Sequence, residues 1–485
     1  MSSILKGGRL RATKPDVVDF ISSLNADKKI ALSTVQVNEA HVVALARCGA
    51  IQGVVAKKIL TALRRLEKGG LPRRRAEDVH VIIEEYVTRR TGADAGGLLH
   101  LGKSRNDQVA TAIRMTLRNE VIELSKTLLA VEMALIKLAK RNIETVFPGY
   151  THLQPAQLIS FGHYLIANCF AFIRDSDRLG EAYVRINLSP MGGAALAGTS
   201  VPVDRSLVAK LLGFDGLIEA SLDAVGGRDF ALEALGVFAL IANDLSRLSS
   251  DLLLYTTHEF DLMEIPDEFA STSSIMPQKK NADPLELMRA KSAKVATNFN
   301  SVATLMHGLT SGYNLDYQEI TPILWQSIDE LKSCLGIILS LIPGIKVNQE
   351  IPKRRYLEFT SATEIANILA LEERMPFRTA HHGVGALVRS AISQGKTMRE
   401  MRQADWQKVL GYRIKERTFR LILHTLDLKS QFRAYRTAGS PAPHETKHLI
   451  GIASGRCREL ARNNQRARAK RDASTRLLRS SALAI

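Results

Sequence analysis

The stretch Asp107-Gln-Val-Ala-Thr-Ala-Ile-Arg-Met-Thr-Leu-Arg-Asn-Glu-Val-Ile-Glu-Leu-Ser-Lys-Thr-Leu-Leu-Ala-Val131 decides the fold class. Ile113, Leu117, Val121, Leu124, Leu128 and Val131 recur at helical spacing and keep one apolar stripe. No proline interrupts the pattern before about Arg141. A helix of more than about 30 residues is long for a globular domain, and such helices hide their stripe by bundling.

Similar patterns run from Ala156 to Asn187, Arg228 to Glu259, Pro284 to Leu309 and Thr321 to Ile342. Almost nothing reads as strand. Upstream, Asn25-Ala-Asp27 can cap a helix from about Lys28 to Ala50. Val54–Lys68 reads as a second helix closed by Gly69-Gly70, and Glu77–Arg90 as a third. After Pro352 the patterns shorten, and Gly439-Ser-Pro-Ala-Pro443 breaks the chain before a basic tail. The expected fold is all-α: a central bundle of long helices over 107–355, a smaller helical domain over 1–106 and a C-terminal helical domain with its basic tail over 356–485. Wide apolar faces such as Ala231–Ala242 ask for a partner subunit as well as the parent core.

The 485 residues carry a net charge of +17. Lys447 to Arg479 holds ten Lys/Arg against two Asp/Glu, about half of that excess. No aromatic side chains interleave these cations, so a solvated, partly helical or frayed extension is expected in preference to an RNA-binding arm. No apolar run is long enough for a membrane span, and Met1–Asp16 lacks the apolar core of a secretory signal, so the cytoplasm is the expected compartment. Cys48, Cys169, Cys334 and Cys457 are scattered, which suggests neither a disulfide framework nor a zinc site; no metal or cofactor is expected.

Five polar stretches stand out: Ser22-Ser23, His100–Gln108, Gly149-Tyr-Thr-His-Leu-Gln154, Ser271–Asn281 and Gly312–Glu319. Taken singly, each has a structural reading. Ser104 and Asn106 can cap the long helix, Thr151 and His152 can satisfy a turn, and Tyr313 can pack. In Ser271-Thr-Ser-Ser-Ile-Met-Pro-Gln-Lys-Lys-Asn281 hydroxyls, two lysines and an asparagine share a loop with no apolar period. It leads into Asp283-Pro284-Leu-Glu286, which reads as a cap, a first-turn proline and a carboxylate three residues on. Exposed N–H groups at such a helix start can hold a carboxylate.

The loop resembles the signature of the aspartase/fumarase superfamily, Gly-Ser-Ser-x-Met-x-x-Lys-x-Asn, with Thr272 in place of the glycine. Met276-Pro-Gln-Lys-Lys-Asn281 is similar to the argininosuccinate lyase version. That family's other blocks stand at Gly7–Arg9, Ser104–Thr111, Gly149–Gln154, Ser221–Val225, Arg228–Ala231 and Tyr313–Glu319. The resemblance implies β-elimination of argininosuccinate to arginine and fumarate through an aci-carboxylate, without a cofactor, by a homotetramer whose active sites are shared between subunits.

It also implies catalytic roles for Ser273 and His152, exchangeable as base and acid, for Lys279 in stabilising the extra charge, and for Glu286 in orienting His152. Substrate-binding roles pass to Ser23, Asn106, Thr151, Asn281, Tyr313 and Gln318, and Arg105 suits a carboxylate through its forked donors. The family lysine three residues past Gln318 is Thr321 here, Leu101 and Lys103 replace a threonine and an arginine, and Gly227 replaces a polar residue. Thr321 keeps open another fumarate-releasing lyase, and the basic tail a catalytically inactive structural or RNA-associated relative.

Overall fold

A computed structural model describes residues 13–72 and 74–485; the Gly7–Arg9 block lies outside them. Five long helices form the central bundle: Arg105–Arg141, Phe161–Ile186, Asp229–Tyr255, Asp283–Met306 and Tyr317–Leu341. Their buried stripes meet in one core containing Leu117, Leu128, Phe172, Phe238, Leu285 and Ile328. The expected all-α fold is observed, with departures in detail.

The 37-residue Arg105–Arg141 helix starts at a capping box. Ser104 Oγ accepts from Asn106 N at 3.3 Å, and Asp107 Oδ1 accepts from Ser104 N at 3.0 Å. The other Asp107 oxygen accepts from Gly192 N and Ala194 N at 3.0 and 2.9 Å, tying the helix start to a neighbouring loop. Ser104 is therefore a cap, whereas the Asn106 side chain is free of that duty.

The N-terminal helices Ala31–Arg47, Gly53–Gly69 and Val79–Thr91 share a second core with Arg205–Leu212. Asn25 and Asp27 do not cap the first of these. They lie in the short helix Leu24–Asp27, where Asp27 instead accepts from Ser23 Oγ at 2.6 Å. Helices from Ala362 to Thr425 enclose a third core around the buried Trp406.

The tail is neither frayed nor merely solvated: Pro443–Leu483 is one 41-residue helix. Ile450, Ala453 and Cys457 seat on the central core, and Leu478 and Ala482 on the N-terminal one. Arg456 pairs with Asp177 at 2.8 Å, Arg479 with Glu67 at 3.2 Å, and Lys470 with Asp215. Part of the tail's positive charge thus docks the helix onto acidic groups distant in sequence.

The expectation of helix from Ala156 is also corrected. Val146–Thr151 and Gln154–Ser160 form an antiparallel hairpin, and the following helix begins at Phe161, capped by Ser160 Oγ accepting from His163 N. Phe147 and Tyr150 anchor the hairpin on Tyr255, with ring centroids 5.3 and 6.0 Å apart. The two-residue tip, His152-Leu153, has φ of +53° and +58°. Left-handed backbone at two successive positions normally selects Asn-Gly, so a His-Leu tip stores strain. Leu153→Gly is expected to raise stability by about 0.5–1 kcal/mol, seen as a higher Tm.

Candidate active site

A cavity of about 480 Å³ opens where the start of the Arg105–Arg141 helix meets the Gly312–Tyr317 turn and the N-terminal unit. Ser23, Arg105, Asn106, Tyr313 and Gln318 all line it, as does Thr321. Asn106 Nδ2 donates to Ala195 O at 3.3 Å, and Tyr313 and Gln318 are joined by a side-chain hydrogen bond. The turn is held by a close backbone approach: a Cβ on Gly226 would lie 2.9 Å from Gly312 O. Only a glycine at 226 lets Gly312 sit there and present Tyr313.

Four carboxylates line the cavity, Asp27, Glu77, Asp78 and Glu84, against the guanidiniums of Arg105 and Arg228. Arg105 is not a free anion receptor in the chain, since its Nη1 pairs with Asp78 at 2.9 Å and with Glu77 at 3.3 Å. Arg228 is buried with its guanidinium 4.8 Å from the Tyr317 ring centroid, and its Nη1 donates to Val225 O and Gly227 O at 2.9 Å each. Its Nε and Nη2 have no protein partner, and burial pushes its pKa down to about 10. Burial likewise pushes His80 down to about 4. Thr321, where the resembling family has lysine, turns its hydroxyl to Tyr317 O at 3.4 Å.

Burial raises Asp27 to about 6, opposed by the Ser23 hydrogen bond. Since its folded pKa exceeds the ordinary carboxylate value, its stability contribution is present at low pH and lost as pH rises through about 6. Asp27→Asn is expected to raise stability at pH 8 by up to about 3 kcal/mol while leaving it nearly unchanged at pH 4. Thermal unfolding at both pH values checks this.

The signature segment projects from the far side of a short hairpin in which Ser271 pairs with Asn281 and Thr272 with Lys280. Lys280 Nζ anchors it, donating to Glu264 and Ile265 O at 2.8 Å and to Asp267 at 2.7 Å. Lys279 is exposed directly before the strand residue Lys280. Ser273 is half-buried, and its Oγ accepts from Ile275 N at 3.4 Å and Met276 N at 3.2 Å. Asn281 Nδ2 reaches Ser271 Oγ at 3.5 Å.

The expected Asp283 cap is not formed. Ala282 occupies the cap position without a side-chain bond, and Asp283 and Pro284 are the first two helical residues. A backbone carbonyl, Ala282 O, starts the helix by accepting from Leu285 N and Glu286 N, so Asp283 meets the positive helix end as a first-turn acid. Glu286 is exposed on the first turn. Thr151, His152, Ser273, Lys279, Asn281 and Glu286 do not line the cavity that gathers the other predicted residues.

Comparison with known proteins decides the family. A lyase family model matches residues 12–297, and an argininosuccinate lyase C-terminal model matches 359–429. Argininosuccinate lyase of Methanosarcina acetivorans is 38% identical over 457 residues, 93% of this chain and 92% of that protein. The enzyme of Methanothermobacter thermautotrophicus is 40% identical over 459 residues, 92% of this chain and 97% of that protein.

The chain belongs to the argininosuccinate lyase family.

Among solved structures, EDDS lyase in complex with formate superposes with a TM-score of 0.88 at 28% identity, over 98% of this chain and 96% of that one. Class II fumarase from Schistosoma mansoni shares the fold, with a TM-score of 0.70 at 18% identity over 83% and 91% of the two chains. Against the family pattern, sequence reasoning missed the carboxylates Asp27, Glu77, Asp78 and Glu84 as lining groups. Glu77-Asp-Val-His80 at a helix start was the available signal: Asp78 caps that helix through Val81 N at 2.8 Å, leaving its other oxygen for Arg105. Arg228 stood in a recognised block, but no sequence feature distinguished its unused donors.

Proposed function

We propose that the chain splits argininosuccinate into arginine and fumarate, and that it does so as a homotetramer in the cytoplasm. The observation that carries the reading is family membership along nearly the whole chain, with the reacting groups of the signature segment retained. The substrate's succinyl half is a dianion, and its arginyl half carries a guanidinium and an ammonium group. A cavity with four carboxylates suits the second half, and a loop with Lys279 and helix-start N–H groups suits the first.

The proton to be removed lies on carbon beside a carboxylate and is hardly acidic. Its loss is feasible only if that carboxylate takes up the charge as an aci dianion, which Lys279 and Asn281 would steady. Ser273 is a poor base at its ordinary pKa. Two backbone N–H groups already directed at its Oγ favour the alkoxide, and loop closure over substrate would strengthen them by excluding water. As the carbon–nitrogen bond breaks, the electron pair of the aci form makes the fumarate double bond, and the leaving guanidine nitrogen takes a proton from the acid/base relay containing His152. Glu286 would orient that imidazole.

Assembly supplies the missing proximity. Among the described residues no ion pair joins His152 to Glu286 within the chain, and the cavity lacks both. Leu240, Leu287 and Ile337 are 44%, 57% and 40% exposed on three bundle helices, apolar surface that subunit contact would cover. No helix among the described residues is long and apolar enough to cross a membrane.

Thr321 favours one second reading: another fumarate-releasing substrate. Incubating the purified protein with argininosuccinate or with EDDS, and following fumarate absorbance, separates the two. Rapid fumarate release from argininosuccinate, with arginine in equal amount, is expected. Release from EDDS alone contradicts the first reading.

A further inference from the structure

Away from the cavity, the ten cations between Lys447 and Arg479 on the last helix divide into two sets. Arg456, Arg468, Lys470, Arg471 and Arg479 pair with Asp177, Glu123, Asp215 and Glu67 of other elements, and so hold the helix in place. The two acids of the same stretch are committed to that docking set, Glu459 to Arg456 at 3.9 Å and Asp472 to Arg471 at 2.9 Å. Lys447, Arg458, Arg462, Arg466 and Arg476 form the second set. All five are exposed, and no carboxylate among the described residues pairs with any of them.

Helical geometry puts the unpaired set on one side. Arg458, Arg462 and Arg466 follow at intervals of four, and Arg476 lies 18 positions past Arg458 (476 − 458), about five turns on and facing the same way. Ile450, Ala453 and Cys457 occupy the other side, against the central core. The arginine stripe therefore extends for about 27 Å along a helix seated on the protein by its inner face. Like charges at intervals of four destabilise a helix, and nothing within the chain offsets them here. Ala469 and Ala473 are exposed between Arg466 and Arg476, which keeps the surface low enough for a chain of anions to lie along it.

We propose that this stripe is a binding surface for the phosphate backbone of nucleic acid, indifferent to base sequence. Each guanidinium presents a planar fork of donors that matches a phosphate. No Phe, Tyr or Trp occurs from Pro443 to Ile485, so bases are not stacked and phosphate contacts alone supply the grip. An anionic membrane suits the helix less well. A helix lying in a membrane surface buries its apolar face among the lipids, whereas this one commits Ile450, Leu478 and Ala482 to the protein's own cores. The net charge of +17 draws polyanions toward the chain, and the stripe offers them an ordered row of unpaired donors.

The experiment titrates a fluorescent oligouridylate of about 20 nucleotides with the full-length protein at several salt concentrations. Binding with a Kd of about 1–100 μM near physiological salt is expected, with log K falling against log salt at a slope of about −2 to −3.5, the signature of roughly three to five phosphate contacts to a single strand. Replacing Arg458, Arg462, Arg466 and Arg476 together by Gln should weaken binding by about tenfold or more and flatten the slope, with fumarate release unchanged. Replacing Lys57, Lys58, Arg65 and Lys68, exposed cations of the Gly53–Gly69 helix, removes the same charge elsewhere and should alter Kd by less than about threefold. On the wild-type protein, oligouridylate should also shield Arg458, Arg462 and Arg466 from phenylglyoxal, read by peptide mapping. The proposal is overturned by no binding at about 50 mM salt, by equal losses in the two variants, by capture on phosphatidylserine vesicles without oligouridylate binding, or by unshielded arginines. Shielding is read on the wild-type chain, so a variant that fails to fold does not blunt the result.

Discussion

Ser273→Ala is expected to lower kcat on argininosuccinate by about 10²- to 10⁴-fold, the usual worth of a positioned proton-transfer group. The oligomer and its Tm should be unchanged. Ser273 sits in a segment whose residues from Ser274 to Lys280 are exposed, so its hydroxyl supports little of the core. The substitution frees only the Ile275 and Met276 N–H groups, which water can reach. KM should change much less than kcat, since the lost interaction is made mainly in the transition state. Steady-state kinetics beside size-exclusion chromatography reads all three quantities. A variant with a near-normal rate would exclude this serine from proton transfer.

Mixing two impaired variants is expected to restore activity. Asn106→Ala removes a cavity side chain without uncapping its helix, because the bond to Ser104 uses the Asn106 backbone N–H. Alone, it should lose about 10- to 100-fold in kcat/KM, the cost of one polar contact to a charged substrate. Ser273→Ala disables the signature segment, which does not line that cavity. If each site joins the cavity of one subunit to the loop of another, random reassembly leaves both groups intact in about a quarter of sites, and activity recovers to about that fraction. Were each site contained in a single chain, every site would keep one defect and mixing would restore nothing.

The long helices were legible because two ordinary signals agree at Ser104: a candidate cap residue in sequence, which the structure shows in a capping box, and an apolar stripe that follows it for many turns. The tail helix was harder. Its buried apolar residues are few and widely spaced, Ile450, Ala453, Cys457, Leu478 and Ala482, and its docking depends on Asp177, Asp215 and Glu67, which local sequence cannot associate with it. The hairpin at Val146–Ser160 escaped because its turn has no Asn-Gly signal; tertiary contacts through Phe147 and Tyr150 hold a His-Leu tip in a conformation those residues disfavour.

Legibility at the site divides the same way. Ser23, Arg105, Asn106, Tyr313 and Gln318 were singled out from separate stretches far apart in the chain, and one cavity gathers them. Asp283 illustrates the opposite outcome. Its pattern with Pro284 and Glu286 fits a cap, yet Ala282 O starts the helix instead, because the chain enters from a strand paired with Ser271-Thr272. The supporting charges, including Asp27 beneath Ser23 and Asp78 beneath Arg105, depend on three-dimensional neighbours and leave little trace in a linear reading.

The central claim is that one site is assembled from separate copies of the chain, with the cavity, the His152 hairpin tip and the Ser273 loop converging on a single substrate. A structure of the assembled Ser273→Ala protein with argininosuccinate bound tests it most directly. The account predicts arginyl density in the Asn106–Tyr313–Gln318 cavity of one subunit, His152 of a second near the scissile nitrogen, and the signature loop of a third closed over the succinyl carbon. Substrate bound with every copy of His152 and of the signature loop remote from it would contradict the account.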